Sequence, residues 1–427
     1  MFSYYLKLSF INFKRSPSLY ALVLLTLSVG IGLVCANFAL ISVMSGDPIP
    51  EKSDRLIHVS MNTWATETPH EEPLHILRYR DAMHIEKADM VKNTVTFFAS
   101  GIYVRDSESE SLARINASVR ATTAGFFDLT NAPFAYGTGF TENTGKVLVI
   151  GDELNQQLFG GGNNVGKVLE LAGELFTIVG ILEPWHLRPL FYHATENMAF
   201  NNTDDIFAPL ETAIDLNWAV HARSSASDSV RTLDESRDKN YFYLQSWVEL
   251  HKASDRKLLQ QYLDNYSQSL KDAGEHPLDI RNELHDVNEW LLKQEVVDER
   301  VLAFSIATGL FLVVCIFNAS SLLLSRFHAA KFEVGLRRAV GASKSQILTQ
   351  GLIESSLLGV VASVVAIGLS GLFLIFSTEM LPNLANLAVL NGETLIAGVI
   401  LSIVTANLAS LYSIYRANRY TISAELK

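Results

Sequence analysis

Two kinds of hydrophobic pattern alternate along the chain. Four long runs carry no charge at all: 19–44 (LYALVLLTLSVGIGLVCANFALISVM), 301–325 (VLAFSIATGLFLVVCIFNASSLLLS), 355–376 and 394–415. Each supplies the roughly 20 apolar residues needed to cross a bilayer. Backbone groups in hydrocarbon must bond within their own segment, so each run predicts a membrane-spanning helix. Residues 1–18 mix aromatic with basic positions and predict an amphipathic helix lying in the membrane interface, ending near Pro17.

The segment between the first two runs is patterned differently. Stretches 54–60, 94–104, 113–121, 205–210 and 241–250 read as strands, while 74–88, 252–274 and 279–300 read as helices, the last running into the second span as a stalk. Residues 146–184 read as strand, helix, Gly-rich turn and a hairpin turning at Ala172-Gly173. Between them, 185–240 reads as long loops. The fold class expected is an α-helical membrane protein of four transmembrane helices, with a large extracytoplasmic α/β and mostly-β domain inserted between helices one and two.

Charge orients the chain. Lys7, Lys14 and Arg15 precede the first run; Arg326, Lys331, Arg337, Arg338 and Lys344 lie between the second and third; Arg416, Arg419 and Lys427 follow the fourth; residues 377–393 contain no Lys or Arg. The positive-inside rule then places both termini and the 326–350 loop in the cytoplasm, with 46–300 and 377–393 outside. The net charge is −11, with its acidic excess in 46–325, so no nucleic-acid partner is expected. Cys35 and Cys315 both fall inside spans and read as small apolar core residues. The first apolar core exceeds the ~7–15 residues of a cleaved leader, and Val34, not a small residue, precedes Cys35, so neither cleavage nor lipidation is expected.

Two motif-like stretches carry no chemistry. GGNNVGKV, 161–168, approaches the phosphate-cradling GxxxxGK[ST] but ends in Val168, without a hydroxyl for Mg²⁺, and leads into a strand. HEEPLH, 70–75, spaces its histidines by five around Pro73, so they share no helix face as a zinc site would need. Neither catalytic nor metal-ligating residues are expected, and the chain shows no ATPase motif.

The basic loop is the most patterned cytoplasmic segment. On one helix over Phe332–Leu348, Phe332, Leu336, Ala339, Val340, Ser343 and Ile347 would share a face, with Glu333 pairing Arg337 at i,i+4. Gly351, Ser355 and Gly359 repeat every four residues, a packing face for helices, while Asn318 and Asn407 are expected to hydrogen-bond across helices, within one subunit or between two.

FEVGLRRAVGASKSQILTQGLIESSLLG closely resembles the signature of the MacB/FtsX-like permease family of ABC transporters, in Glu333, Gly335, Arg337, Arg338, Ala339, Gly341, Ala342 and Ser343. TLSVGIG (26–32), DPIPEKSDRL (47–56), the 146–184 stretch and NASSLLLSR (318–326) are similar to other parts of that family; the tail YRANRYTISAELK departs from it in lacking the Asp-Pro ending. The resemblance implies a bacterial inner-membrane permease that docks a separate ABC ATPase subunit through the 326–350 coupling loop. ATP and Mg²⁺ sit on that subunit, and Glu333, Gly335, Arg337, Arg338, Gly341 and Ala342 would contact it, the arginines meeting acidic groups or membrane lipid phosphates. It also implies a dimer with a second copy or a homologue, because two ATPases need two docking loops. The periplasmic part would divide into an α/β subdomain (52–121 and 238–299) and a mostly-β insertion (122–237), followed past the fourth span by a cytoplasmic tail, 416–427. The implied function is mechanotransmission: ATP-driven movement passed to the periplasmic domain, for export of peptides, toxins or lipids with a periplasmic adaptor. The alternatives are release of lipoproteins to a carrier, or a signalling permease regulating a cell-wall hydrolase or sensor.

Overall fold

A computed structural model describes residues 2–63, 73–108, 114–185, 187–195, 198–275, 279–297, 299–329, 331–380, 390 and 392–417. It divides into two compact units, 1–46 with 297–427, and 47–296.

The chain opens with α1 (Phe2–Arg15) and α2 (Pro17–Met44). Pro17 stands in the first turn of α2, where its missing N–H costs nothing. The α/β unit follows: β1 (Leu56–Met61), β2 (Leu77–Arg78), α3 (Tyr79–Ile85), β3 (Val91–Asp106), β4 (Ile115–Thr122), α4 (Phe126–Thr130), β5 (Phe134–Gly137), β6 (Val147–Ile150), α5 (Asp152–Phe159), β7 (Val168–Leu171), β8 (Glu174–Leu182), β9 (Ile206–Pro209), α6 (Leu210–Asp215), β10 (Ser225–Ala226), β11 (Tyr241–Leu250), α7 (Arg256–Asp272), β12 (Asn282–Asp286) and α8 (Val287–Lys293). Its strands form one mixed sheet in the order β12-β1-β11-β3-β4-β9-β6-β8-β5, with β2 and β10 on β11 and β7 bridging β3 and β8. Segments 52–121, 122–237 and 238–299 all contribute strands to it.

Successive strand residues face opposite sides, and here both sides are buried. Ile57, Phe98, Val119, Leu148 and Val248 belong to one apolar layer. Their neighbours Leu56, Phe97, Val149 and Trp247 belong to a second, with Phe126, Phe191, Phe207 and Trp290. The 146–184 stretch folds as its pattern predicts: Ala172 (φ +50) and Gly173 (φ +88) turn the β7–β8 hairpin in the left-handed region.

Three expectations are corrected. Residues 74–88 split into β2 and α3, because Leu77 pairs with β11. The 279–300 stretch is no stalk helix: Asn282–Asp286 alternate in burial and pair with β1, Asp286 then caps α8 in a reciprocal box with Glu289, and Glu295 takes φ +50 just past its end. The 185–240 loops supply core, including Phe191, Tyr192 and α6.

The helical unit adds α9 (Glu299–Ala329), α10 (Lys331–Ala339), α11 (Lys344–Met380) and α12 (Gly392–Ala417). Four of its helices contain segments long and apolar enough to cross a membrane: Pro17–Met44, Val301–Arg326, Lys344–Phe376 and Gly392–Tyr415. They pack through small residues. A Cβ on Gly32 would meet the Ala366 carbonyl oxygen at 2.9 Å, and one on Gly30 the Cys315 Sγ at 3.1 Å, so glycine permits the close approach.

Candidate functional site

The 332–348 stretch is two helices rather than one. After Ala339 the chain turns: Gly341 N–H donates to the Arg338 carbonyl and Ala342 N–H to the Arg337 carbonyl (3.1 and 3.0 Å), and Gly341 sits at φ +107. Its missing Cβ is what ends α10 in this conformation. Ser343 then caps α11. Its Oγ accepts from Gln346 N–H (3.2 Å) while Gln346 Oε1 accepts from Ser343 N–H (2.9 Å), a capping box that starts a helix inside an otherwise uninterrupted helical pattern.

The expected coupling residues differ in their surroundings. Glu333 bonds Arg337 one turn on (2.6 Å) and faces Arg15 of α1 (3.5 Å); Arg337 also donates to Gln350 of α11 (2.9 Å). Gly335 is buried. Glu333 and Arg337 are thus tied to α1 and α11. Arg338 and Ala342 are partly exposed and Gly341 is exposed. The outermost side chains are apolar: Phe332, Leu336 and Val340, at four-residue spacing, are 62%, 47% and 83% exposed. This apolar stripe on a basic helix is left uncovered by packing within the chain.

Behind α10 lies a polar centre that sequence reasoning missed. Glu354 of α11 is buried and accepts from three side chains on three other helices: Asn12 of α1 (3.0 Å), Tyr20 of α2 and Arg326 of α9. The Arg326 guanidinium also stacks over the Tyr20 ring, 5.0 Å from its centroid. The available signal was the single carboxylate between Lys344 and Phe376; an ionisable residue at membrane depth is expensive and needs partners.

The small-residue repeat packs within the chain. A Cβ on Gly351 would meet Ile414 at 2.7 Å and one on Gly359 the Ile403 Cα at 2.8 Å, both on α12, and Ser355 donates to Asn407 (2.7 Å). Asn407 in turn donates to Ser356 (3.0 Å). Asn318 is different: it lies exposed on α9, amid exposed Leu310, Val314 and Phe317.

In the α/β unit, His58 is wholly buried, stacked on Trp290 (centroids 3.6 Å apart) and edge-on to Trp247. Burial, with His75, His285 and Lys293 nearby, holds its pKa well below the ordinary value. Burial likewise pushes His193 down to about 4. Among the described residues no group of three or more His, Cys, Asp or Glu could hold a metal ion. His70 of HEEPLH lies outside the described residues. GGNNVGKV is a turn with Gly161, Gly162 and Gly166 at positive φ, running into β7 rather than a helix, so it lacks the helix N-terminus that a phosphate site of this type uses.

The chain matches two family models, the MacB-like periplasmic core domain over residues 20–266 and the FtsX-like permease C-terminal domain over 305–422. It is 22% identical to the ABC transporter permease YknZ of Bacillus subtilis, over 80% of this chain and 78% of the relative. It is 25% identical to the macrolide export ATP-binding/permease protein MacB of Syntrophobacter fumaroxidans, over 60% of this chain and 41% of the relative. The pyoverdine export protein PvdT of Pseudomonas aeruginosa is 22% identical over 70% of this chain and 40% of its own length. This chain thus spans about two fifths of such ATP-binding/permease relatives. The solved periplasmic region of MacB from Actinobacillus actinomycetemcomitans covers 58% of this chain and 96% of itself, at 12% identity and TM-score 0.37.

Proposed function

The chain belongs to the MacB/FtsX-like family of ABC transporter permeases, and from that premise we propose that it couples a separate ABC ATPase subunit to movements of its periplasmic α/β unit. It is a multi-pass membrane protein. In this reading it sits in the bacterial inner membrane with both termini inside, ATP and Mg²⁺ are held by the partner, and the protein works as a dimer.

The observation that carries the proposal is the exposed apolar stripe Phe332–Leu336–Val340 on α10, inside the FtsX-like match. Docking there would cover side chains that water disfavours, at about 25 cal/mol per Å² buried, and the exposed Gly341 turn follows directly on the stripe in the chain. Glu333, Gly335 and Arg337 then serve by holding α10 rather than by touching the ATPase. For the dimer, Gly351, Ser355, Gly359 and Asn407 are engaged within one copy, which leaves Asn318 as the residue to pair across the interface.

Movement reaches the α/β unit through paired strands rather than a stalk. In chain order β1 follows α2, β12 and α8 precede α9, and β1 pairs with β12. The relatives named for macrolide, pyoverdine and syringafactin export support reading this chain as an exporter, with a periplasmic adaptor as the expected partner.

Affinity purification of the full chain from its own membranes tests this. An ABC ATP-binding subunit should co-purify with the native chain and be lost with Leu336→Asp; its absence, or its retention by the variant, contradicts the proposal. The periplasmic protein recovered decides the cargo: an adaptor fits export, a lipoprotein carrier fits lipoprotein release, and a cell-wall hydrolase or sensor fits signalling.

A further inference from the structure

One polar layer ties α10 to its neighbours, and a second, deeper one lies behind it. The outer layer, Arg15–Glu333–Arg337–Gln350, is partly open to water: the Arg15 and Glu333 side chains are 65% and 40% exposed. Such a pair contributes little. The inner layer is the Glu354 centre, where the Glu354 and Arg326 side chains are 8% and 14% exposed. It joins α1, α2, α9 and α11 at one carboxylate, and Val334 and Arg337 of α10 line the same small cleft.

We infer that Glu354 is a positioning residue that latches the amphipathic helix α1 to the membrane bundle, beside the cleft that the docking helix α10 lines. The inference rests on the reading of α10 as the ATPase dock. Charge is what makes Glu354 suitable. A carboxylate only accepts hydrogen bonds, and here its two oxygens receive an amide, a phenol and a guanidinium from three helices. A neutral amide at the same place would present an N–H₂ group in place of one acceptor oxygen and would leave Arg326 without its counter-charge, so donors from the other helices lose their anchor together. Asn12 is the contact that brings α1 into the centre, since the Arg15–Glu333 contact is long and exposed. In a docked complex, motion imposed on α10 would reach α1 through the Glu333–Arg15 contact and α11 through Arg337–Gln350, and the Glu354 centre would hold α1 to α2, α9 and α11 as it arrives.

Trypsin provides the test. Lys14 and Arg15, at the end of α1, are exposed, and cleavage after them requires that turn of helix to open. With the full chain in lipid nanodiscs, Glu354→Gln should raise cleavage there by about tenfold or more, a change of about 1.4 kcal/mol in opening, while Glu333→Gln raises it less than about threefold. A double-mutant cycle separates a latch from general loosening. Asn12→Ala should accelerate cleavage in the native background and add nothing in the Glu354→Gln background; additive effects overturn the inference. Should Glu354→Gln not fold, Glu354→Gln/Arg326→Gln removes both charges and leaves none buried alone. That variant, native in helix content, should still show fast cleavage; cleavage at the native rate overturns the inference. No ATPase takes part in these measurements, so the latch and the docking reading fail separately: Leu336→Asp tests the dock and leaves the latch intact.

Discussion

Placing His58 between Trp247 and Trp290 keeps its imidazole neutral, and that sets how the α/β unit responds to acid. An unfolded histidine titrates near 6.5, whereas His193 folded titrates at about 4 and His58 and His285 are lowered too, each chiefly by burial. Between those values the unfolded chain binds protons that the native state does not, so stability rises with pH. The contribution is complete above about pH 6.5 and is lost as pH falls toward 4. All five tryptophans lie in 47–296, so tryptophan fluorescence in the full chain reports on this unit. The urea midpoint should drop from pH 7 to 4.5, and His193→Gln should flatten that slope; identical slopes for variant and native chain would show that His193 contributes nothing. Arg120 gives a larger effect. It bonds Asp204 through two nitrogens (3.0 and 3.1 Å), lies over Phe97 and Tyr192, and is buried. Arg120→Gln leaves Asp204 buried with a weaker partner and should cost ~3–5 kcal/mol by the same urea titration, whereas a loss below about 1 kcal/mol would class the pair with exposed ones.

At the scale of elements, long apolar runs were legible because hydrocarbon leaves a backbone few options, and strands such as 241–250 because alternation and β-branched or aromatic residues agreed. The α10–α11 break was not. Periodicity continues smoothly from Phe332 to Leu348, and only the positive φ of Gly341 and the Ser343–Gln346 box show that the axis changes. The stalk was misread for a related reason: Asn282–Asp286 is too short for alternation to outweigh the helix-compatible residues around it, and pairing with β1 decides its state. Glu354 escaped notice because its partners come from α1, α2 and α9, which no local pattern connects. These elements make sharp predictions. Gly341→Val places a β-branched residue at φ +107 and should destabilise the turn by ~1–3 kcal/mol, with weaker ATPase binding than Ala342→Ser; equal binding by both would remove the turn from the docking surface. Gly359→Leu, driven against Ile403 and Ser402 of α12, should lower the melting temperature of the purified helical unit within the full chain, and an unchanged melting temperature would contradict the packing described.

For the whole molecule, one division of labour follows. The helical unit leaves the Phe332–Leu336–Val340 stripe of α10 exposed, which is the proposed dock, and gathers α1, α2, α9 and α11 at Glu354. The α/β unit is a sheet buried on both faces, in which β1, the first strand after α2, pairs with β12, the last strand before α8 and α9. The central claim is that an ATP-binding subunit meets the outward stripe of α10. Site-specific photo-crosslinking in cells measures it most directly, with the photoreactive residue placed in turn at Phe332, Leu336 and Val340, and at Val334 as the inward control. The account predicts crosslinks to an ABC ATP-binding subunit from the three outward positions and none from Val334. Crosslinks to lipid alone from all three, or equal capture from Val334, would contradict it.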